Sequence, residues 1–190
     1  MKFVKTVHTF DYEWNLVSAA QWQKYPNDLC PHVVHVDVLN RRVDPKTGVL
    51  ITERLITVKQ NAPKILLKLV GAEETQYVRE VSTIDPKAKT FKMTSQNLSL
   101  CNLLKCNEEI TYTVSPEHAG KTQFTSQASV RVGGFLSKWE NYIEDFSIKR
   151  FQQNAQNGKE GFLRVLEKFV ATTAAHGSSS TTAGAAVAAE

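Results

Sequence analysis

The sequence predicts an α+β fold, a curved antiparallel sheet of about seven strands gripped by one long C-terminal helix. Three observations lead there. Between His32 and Val132 the chain reads as successive β-type segments joined by turns, with no periodic helix between the paired strands, which disfavours a parallel doubly wound sheet. A short helical stretch follows the first strand. After Gly133-Gly134 the apolar spacing changes from two to three and four and stays so for some 35 residues.

Taken in order, residues 2–10 form a β-rich strand ending at Asp11, a candidate N-cap, and Tyr12 to Tyr25 is helical up to Pro26. His32–Val43 and Val49–Gln60 form a hairpin about Asp44-Pro45-Lys46-Thr47-Gly48, where Pro sets φ and Gly permits a positive one. Strands follow at Gln76–Ile84, Thr90–Leu98, Leu104–Val114 and Thr122–Val132, with turns at Asp85-Pro86-Lys87 and Pro116–Gly120. In the long helix Phe135, Trp139, Tyr142, Ile143 and Phe146 form an aromatic stripe, a core face or a ligand wall, and Asn157-Gly158 and Gly161 are candidate kinks. Phe162, Val165, Leu166 and Phe169 resume the period. The expected division is a folded domain over residues 1–170 and a disordered Ala/Ser/Thr-rich tail over 171–190, too poor in large apolar groups to offset its ordering entropy.

Composition narrows the function. With 42% hydrophobic and 22% charged residues the 190-residue chain is ordinary globular material. Its longest apolar stretch, Ile65–Val70, is interrupted by Lys68 and far below the ~20 residues of a spanning helix. The net charge is +4, and since the last twenty residues hold one acid and no base, residues 1–170 carry +5. That bias is too small for a nucleic-acid binder but suits an anionic ligand or membrane surface if the bases converge. Cys30, Cys101 and Cys106 lack paired metal-type spacing, and a disulfide framework is not expected. The N-terminus reads as a strand, so no cleaved signal or presequence is expected there, while import by another route stays open.

No phosphate loop, nucleophile elbow or zinc-protease motif is present, so no catalytic residue, cofactor or metal is expected and the chain reads as a container, not an enzyme. His32 and His35, three apart on a strand, point to opposite faces. The candidate anion-binding groups are Lys24, His32, Arg54, Lys149 and Arg150. Arg54 needs an anionic partner if buried, either a protein carboxylate or a ligand phosphate. The segment Gln60–Gly71 interrupts the β pattern: Pro63 can open a turn that places Ile65, Leu66, Leu69 and Val70 on one face and Lys64 and Lys68 on another. It reads either as a lid that dips into a membrane interface or as a buried connecting turn.

These residues bring a family into view. Lys24-Tyr25-Pro26-Asn27, Pro31-His32-Val33, Val36-Asp37-Val38-Leu39, Thr52–Gln60, Tyr77–Ser82, Asn97–Lys105 and Ile143–Ser147 run in one order over residues 1–170. The chain resembles the PRELI family of mitochondrial lipid-transfer proteins, in its slowmo-type branch. The resemblance implies a seven-stranded sheet enclosing one phospholipid in the intermembrane space, peripheral on anionic membranes. It also implies a heterodimer with a small helical twin-cysteine-motif protein. By position it assigns the headgroup to Lys24, His32, Arg54, Arg150 and Asn154, with Lys149 beside them, and it makes Gln60–Gly71 the gating loop. Phe146 stands where relatives often have Trp.

The phosphatidic-acid branch tends to carry extra lysines at the start of that loop, where this chain has Val58 and Asn61, with Lys59 on the other strand face. The expected cargo is therefore phosphatidylserine, carried between outer and inner membranes. The alternatives are a phosphatidic acid carrier of the same fold and a lipid-binding scaffold that transports nothing.

Overall fold

The computed structural model describes residues 1–59 and 73–179. The chain runs β1 (Lys2–Phe10), α1 (Trp14–Ala20) continued by a 3₁₀ turn (Gln21–Gln23), β2 (Val33–Val43), β3 (Leu50–Lys59), β4 (Thr75–Asp85), β5 (Thr90–Asn97), β6 (Leu104–Val114) and β7 (Thr122–Val132). A second 3₁₀ turn (Gly134–Trp139) leads into α2 (Glu140–Ser179). The strands form one antiparallel sheet in the order β1-β7-β6-β5-β4-β3-β2. Because β1 and β2 are its two edges, the segment between them must cross the whole sheet. In doing so α1 closes one end of the concave face.

That closed end is the main core. Phe10, Trp14, Val17, Ala20, Phe91, Met93, Tyr112, Phe162 and Leu166 are all buried there. Each such large apolar side chain contributes about 1.5–3 kcal/mol on burial. The Phe10 and Phe162 rings meet edge to face at 5.5 Å, tying β1 to α2, and Trp14 Nε1 donates to the Tyr112 carbonyl at 3.1 Å, tying α1 to β6. A smaller cluster of Val132, Leu136 and Ile143, with Leu103 and Leu104 against it, holds the start of α2 at the opposite end.

Several local expectations change. Asp11 does not cap α1, whose preceding residue is Glu13 with no side-chain cap; Asp11 instead pairs with Lys121 at 2.6 Å. The helix does not kink at its glycines but runs unbroken through Gly158 and Gly161. They are sites of close approach: a Cβ on Gly161 would lie 2.6 Å from Asn27 Oδ1, and one on Gly158 would touch Lys24 Nζ at 3.9 Å. Trp139 and Tyr142 are 56% and 57% exposed and belong to no inward stripe, although Ile143 beside them is buried. α2 continues nine residues past the Val170 boundary, and residues 180–190 lie outside the described part. At the hairpin tip Gly48 has φ +76°, the positive value the turn requires.

Candidate functional site

A cavity of about 330 Å³ lies between the concave face and α2. Strand register arranges the concave face of the sheet in levels. At the closed end the aromatic row His8, Phe124, Tyr112, Phe91 runs across β1, β7, β6 and β5. Two residues further along each strand pair comes a mixed row, Thr52, Ser82, Met93, Ile110 and Ser126. Next is a polar belt of Arg54, Glu80, Ser95 and Glu108 on β3, β4, β5 and β6. Toward the open end the wall turns mostly apolar again, with Ile56, Val58, Val78, Leu103 and Leu104.

Opposite the sheet is α2, whose cavity-lining residues include a row that steps by four, Phe146, Arg150, Asn154, Gly158 and Phe162, with Lys159 alongside. The 3₁₀ turn after α1 and the chain beyond it contribute Gln21, Lys24, Tyr25, Cys30 and His32. Cations from α2 and from this segment thus face the belt on the sheet.

Of the expected headgroup residues the structure brings Lys24, His32, Arg150 and Asn154 together on the cavity wall. It does not bring Arg54 or Lys149. Arg54 is buried, but its Nε and Nη2 donate to Glu80 Oε1 at 2.9 and 2.6 Å, and its guanidinium lies 5.3 Å from the centre of the Trp22 ring. Its charge meets a protein carboxylate, one of the two anionic partners the sequence left open, which supports an internal ion pair over a headgroup contact. Lys149 is exposed, one residue out of phase with Arg150, so the helix turns it to solvent. Pro63, Lys64, Ile65, Leu66, Lys68 and Leu69 lie outside the described residues.

Sequence reasoning missed Glu108, Glu80 and Lys159. The first was visible in the alternation, because Glu108 is in phase with Cys106, Ile110 and Tyr112, all of which line the cavity. Its Oε1 accepts a hydrogen bond from Ser126 Oγ at 2.7 Å. Burial pushes the Glu108 carboxyl above the usual range, with Ser126 and Lys24 pulling it back and Glu80 adding to the rise.

The cations carry the site's field. Burial opposes the charge on Lys24, but its surroundings, Glu108 among them, more than offset that, and its pKa lies above that of an ordinary lysine. Among the described residues Lys24, Arg150 and Lys159 have no carboxylate within ion-pair distance. Burial lowers the His32 pKa, helped by Arg150 and Lys24. His8 is held at about 4 by burial first, then by Lys159 and Lys24, and neither ring nitrogen has a hydrogen-bond partner. At neutral pH the two histidines are therefore uncharged. The cysteines are free; burial pushes Cys106 up to about 11 and raises Cys30 against the pull of Lys24, so neither is a reactive thiolate. No group of three or more potential metal ligands occurs among the described residues.

A sheet wrapped around one long helix, with a lined cavity between them, defines a helix-grip protein. Solved structures share this fold at low identity. The Zhui aromatase/cyclase from Streptomyces sp. R1128 superposes with a TM-score of 0.60 at 12% identity, over 89% of this chain and 95% of its own. Ara h 8.0201 superposes at 0.54, also at 12% identity, over 90% and 98%. Within that class the chain belongs to the PRELI-like family, whose model matches residues 15–172. It is 45% identical over 170 residues to the Saccharomyces cerevisiae protein UPS2, mitochondrial, covering 89% of this chain and 74% of that one. The UPS-like protein C36.10 of Schizosaccharomyces pombe is 41% identical over 186 residues, 96% of this chain and all of that one. The slowmo homolog of Dictyostelium discoideum is 34% identical over 155 residues, 80% of this chain and 66% of its own.

Proposed function

We propose that this protein transfers a phospholipid, phosphatidylserine, between the outer and inner mitochondrial membranes, holding one molecule at a time in the cavity and making or breaking no bond. Membership of the PRELI-like family supports the lipid-transfer reading, and the mitochondrial relative at 45% identity supports the compartment. The observation that carries it is the pairing of an apolar open end with deep cations, Lys24 and Arg150, that lack a carboxylate partner among the described residues. Acyl chains suit the former and an anionic headgroup the latter, with Asn154 and neutral His32 as hydrogen-bonding groups beside it.

The need for a carrier is physical. Each acyl CH₂ exposed to water costs about 0.8 kcal/mol, so unassisted desorption of a two-chain lipid is very slow. Loading requires an opening, and in this reading Pro63–Leu69 is the lid. Its Lys64 and Lys68 meet an anionic membrane while Ile65, Leu66 and Leu69 enter the interface. The working form is a heterodimer with a small helical twin-cysteine-motif protein in the intermembrane space.

The test is transfer of labelled phosphatidylserine and phosphatidic acid between separate vesicles by the co-expressed pair. Phosphatidylserine transfer is the expected result. Transfer of phosphatidic acid alone keeps the carrier and overturns the headgroup, and transfer of neither by a folded, partnered protein overturns the carrier.

A further inference from the structure

Resting on the carrier reading, one feature of the cavity goes further, because the polar belt is not simply basic. Two carboxylates stand in it, and they differ in their partners. Glu80 is taken by Arg54 through two hydrogen bonds. Glu108 has the hydroxyl of Ser126 on one oxygen, and among the described residues no cation reaches it within ion-pair distance and no hydrogen bond meets its other oxygen. Lys24 and Glu108 face the same cavity and feel each other's charge without touching.

An ionised carboxylate at such a depth is costly unless a positive group joins it. The protein has cations to hand and leaves them across the gap. A ligand that spans this gap must present an anionic group toward Lys24 and Arg150 and a cationic group toward Glu108.

We propose that Glu108 is a specificity-determining residue that receives the ammonium group of an amine-bearing phospholipid headgroup, so that the cavity selects a headgroup of both signs over one that is only anionic. Ser126 is its positioning partner: the 2.7 Å hydrogen bond from β7 holds one oxygen of Glu108 and leaves the other for the ligand. The ammonium completes the carboxylate's shell with a charge-assisted hydrogen bond, while a headgroup without it leaves the carboxylate unpaired beside an added negative charge.

Glu108→Gln keeps the shape and the acceptor for Ser126 and removes the charge. The assay compares vesicle-to-vesicle transfer of phosphatidylserine, its N-acetylated derivative and phosphatidic acid by the partnered protein, with melting curves of each variant. The parent moves phosphatidylserine about 10- to 100-fold faster than the N-acetylated lipid, the worth of one charge-assisted hydrogen bond. Glu108→Gln collapses that ratio toward one and moves phosphatidic acid at least as fast as the parent. Glu108→Asp, which keeps the charge on a shorter arm, recovers part of the ratio.

A ratio unchanged in Glu108→Gln overturns the proposal and leaves the carrier standing, as does an equal fall for all three lipids. A parent that moves none of the lipids overturns both.

Discussion

Replacing Arg54 by alanine separates a structural ion pair from a ligand contact, because the two roles predict opposite pairs of readouts. In the structure Arg54 and Glu80 are 5% and 7% exposed, and both guanidinium hydrogen bonds fall on Glu80 Oε1. Arg54→Ala strands that carboxylate in a belt that already contains Glu108. Breaking one side of a buried pair costs about 3–5 kcal/mol, and loss of the guanidinium from the Trp22 ring, 5.3 Å away, adds to it. For a domain of this size, at about 2–4 °C per kcal/mol, the melting temperature falls by roughly 6–20 °C. Arg54→Met with Glu80→Met removes both charges at similar volume and recovers most of that loss. Circular-dichroism melts are run beside vesicle transfer at a temperature where each variant remains folded. The expected pattern is a large fall in melting temperature for the single variant, recovery in the double, and transfer retained in both. If Arg54→Ala melts within about 2 °C of the parent yet no longer moves lipid, the ion-pair reasoning fails and Arg54 touches the cargo.

Two further perturbations probe the same framework. Gly161→Ala gains about 1 kcal/mol of helix propensity but drives a Cβ within 2.6–2.9 Å of the Asn27 carboxamide, which is anchored by accepting from the Leu29 amide at 3.0 Å. Overpacking at about 1–3 kcal/mol outweighs the gain, so urea stability falls, while in an Asn27→Ala background the same change is neutral or stabilising. His8 gives the acid limb a signature. Its folded pKa of about 4 lies below the ordinary 6.5, so between those values the unfolded chain binds a proton that the folded chain excludes. Stability therefore falls as pH drops from about 6.5 to about 4 and this contribution is constant below that. His8→Phe, which keeps the ring stacked on Phe124, flattens that part of a plot of urea midpoint against pH; an unchanged slope refutes the assignment.

How much of this was legible depends on how far apart the deciding residues lie. Strands β6 and β7 match the sequence reading residue for residue, because alternation and flanking turn residues are local signals. Trp139 was misread for a local reason as well: it ends a 3₁₀ turn, which advances about 120° per residue, so a three-and-four stripe drawn through it does not carry its phase into α2. The glycines of α2 and the partner of Arg54 were illegible for a different reason. Gly161 answers to Asn27, more than 130 positions earlier, and no periodicity within the helix points there. Arg54 announced a need for an anion, but which anion is set by the pairing of β3 with β4. A slip of two residues in that pairing would keep every side chain on its own face and leave each strand's pattern satisfied. It would set Arg54 opposite Val78 or Ser82, with no carboxylate to meet it. The cost of an unpaired buried charge, several kcal/mol, then falls on the slipped register and not on the native one. Hydrophobic alternation chooses the face in this sheet, and the Arg54–Glu80 pair discriminates among the registers that alternation leaves equivalent.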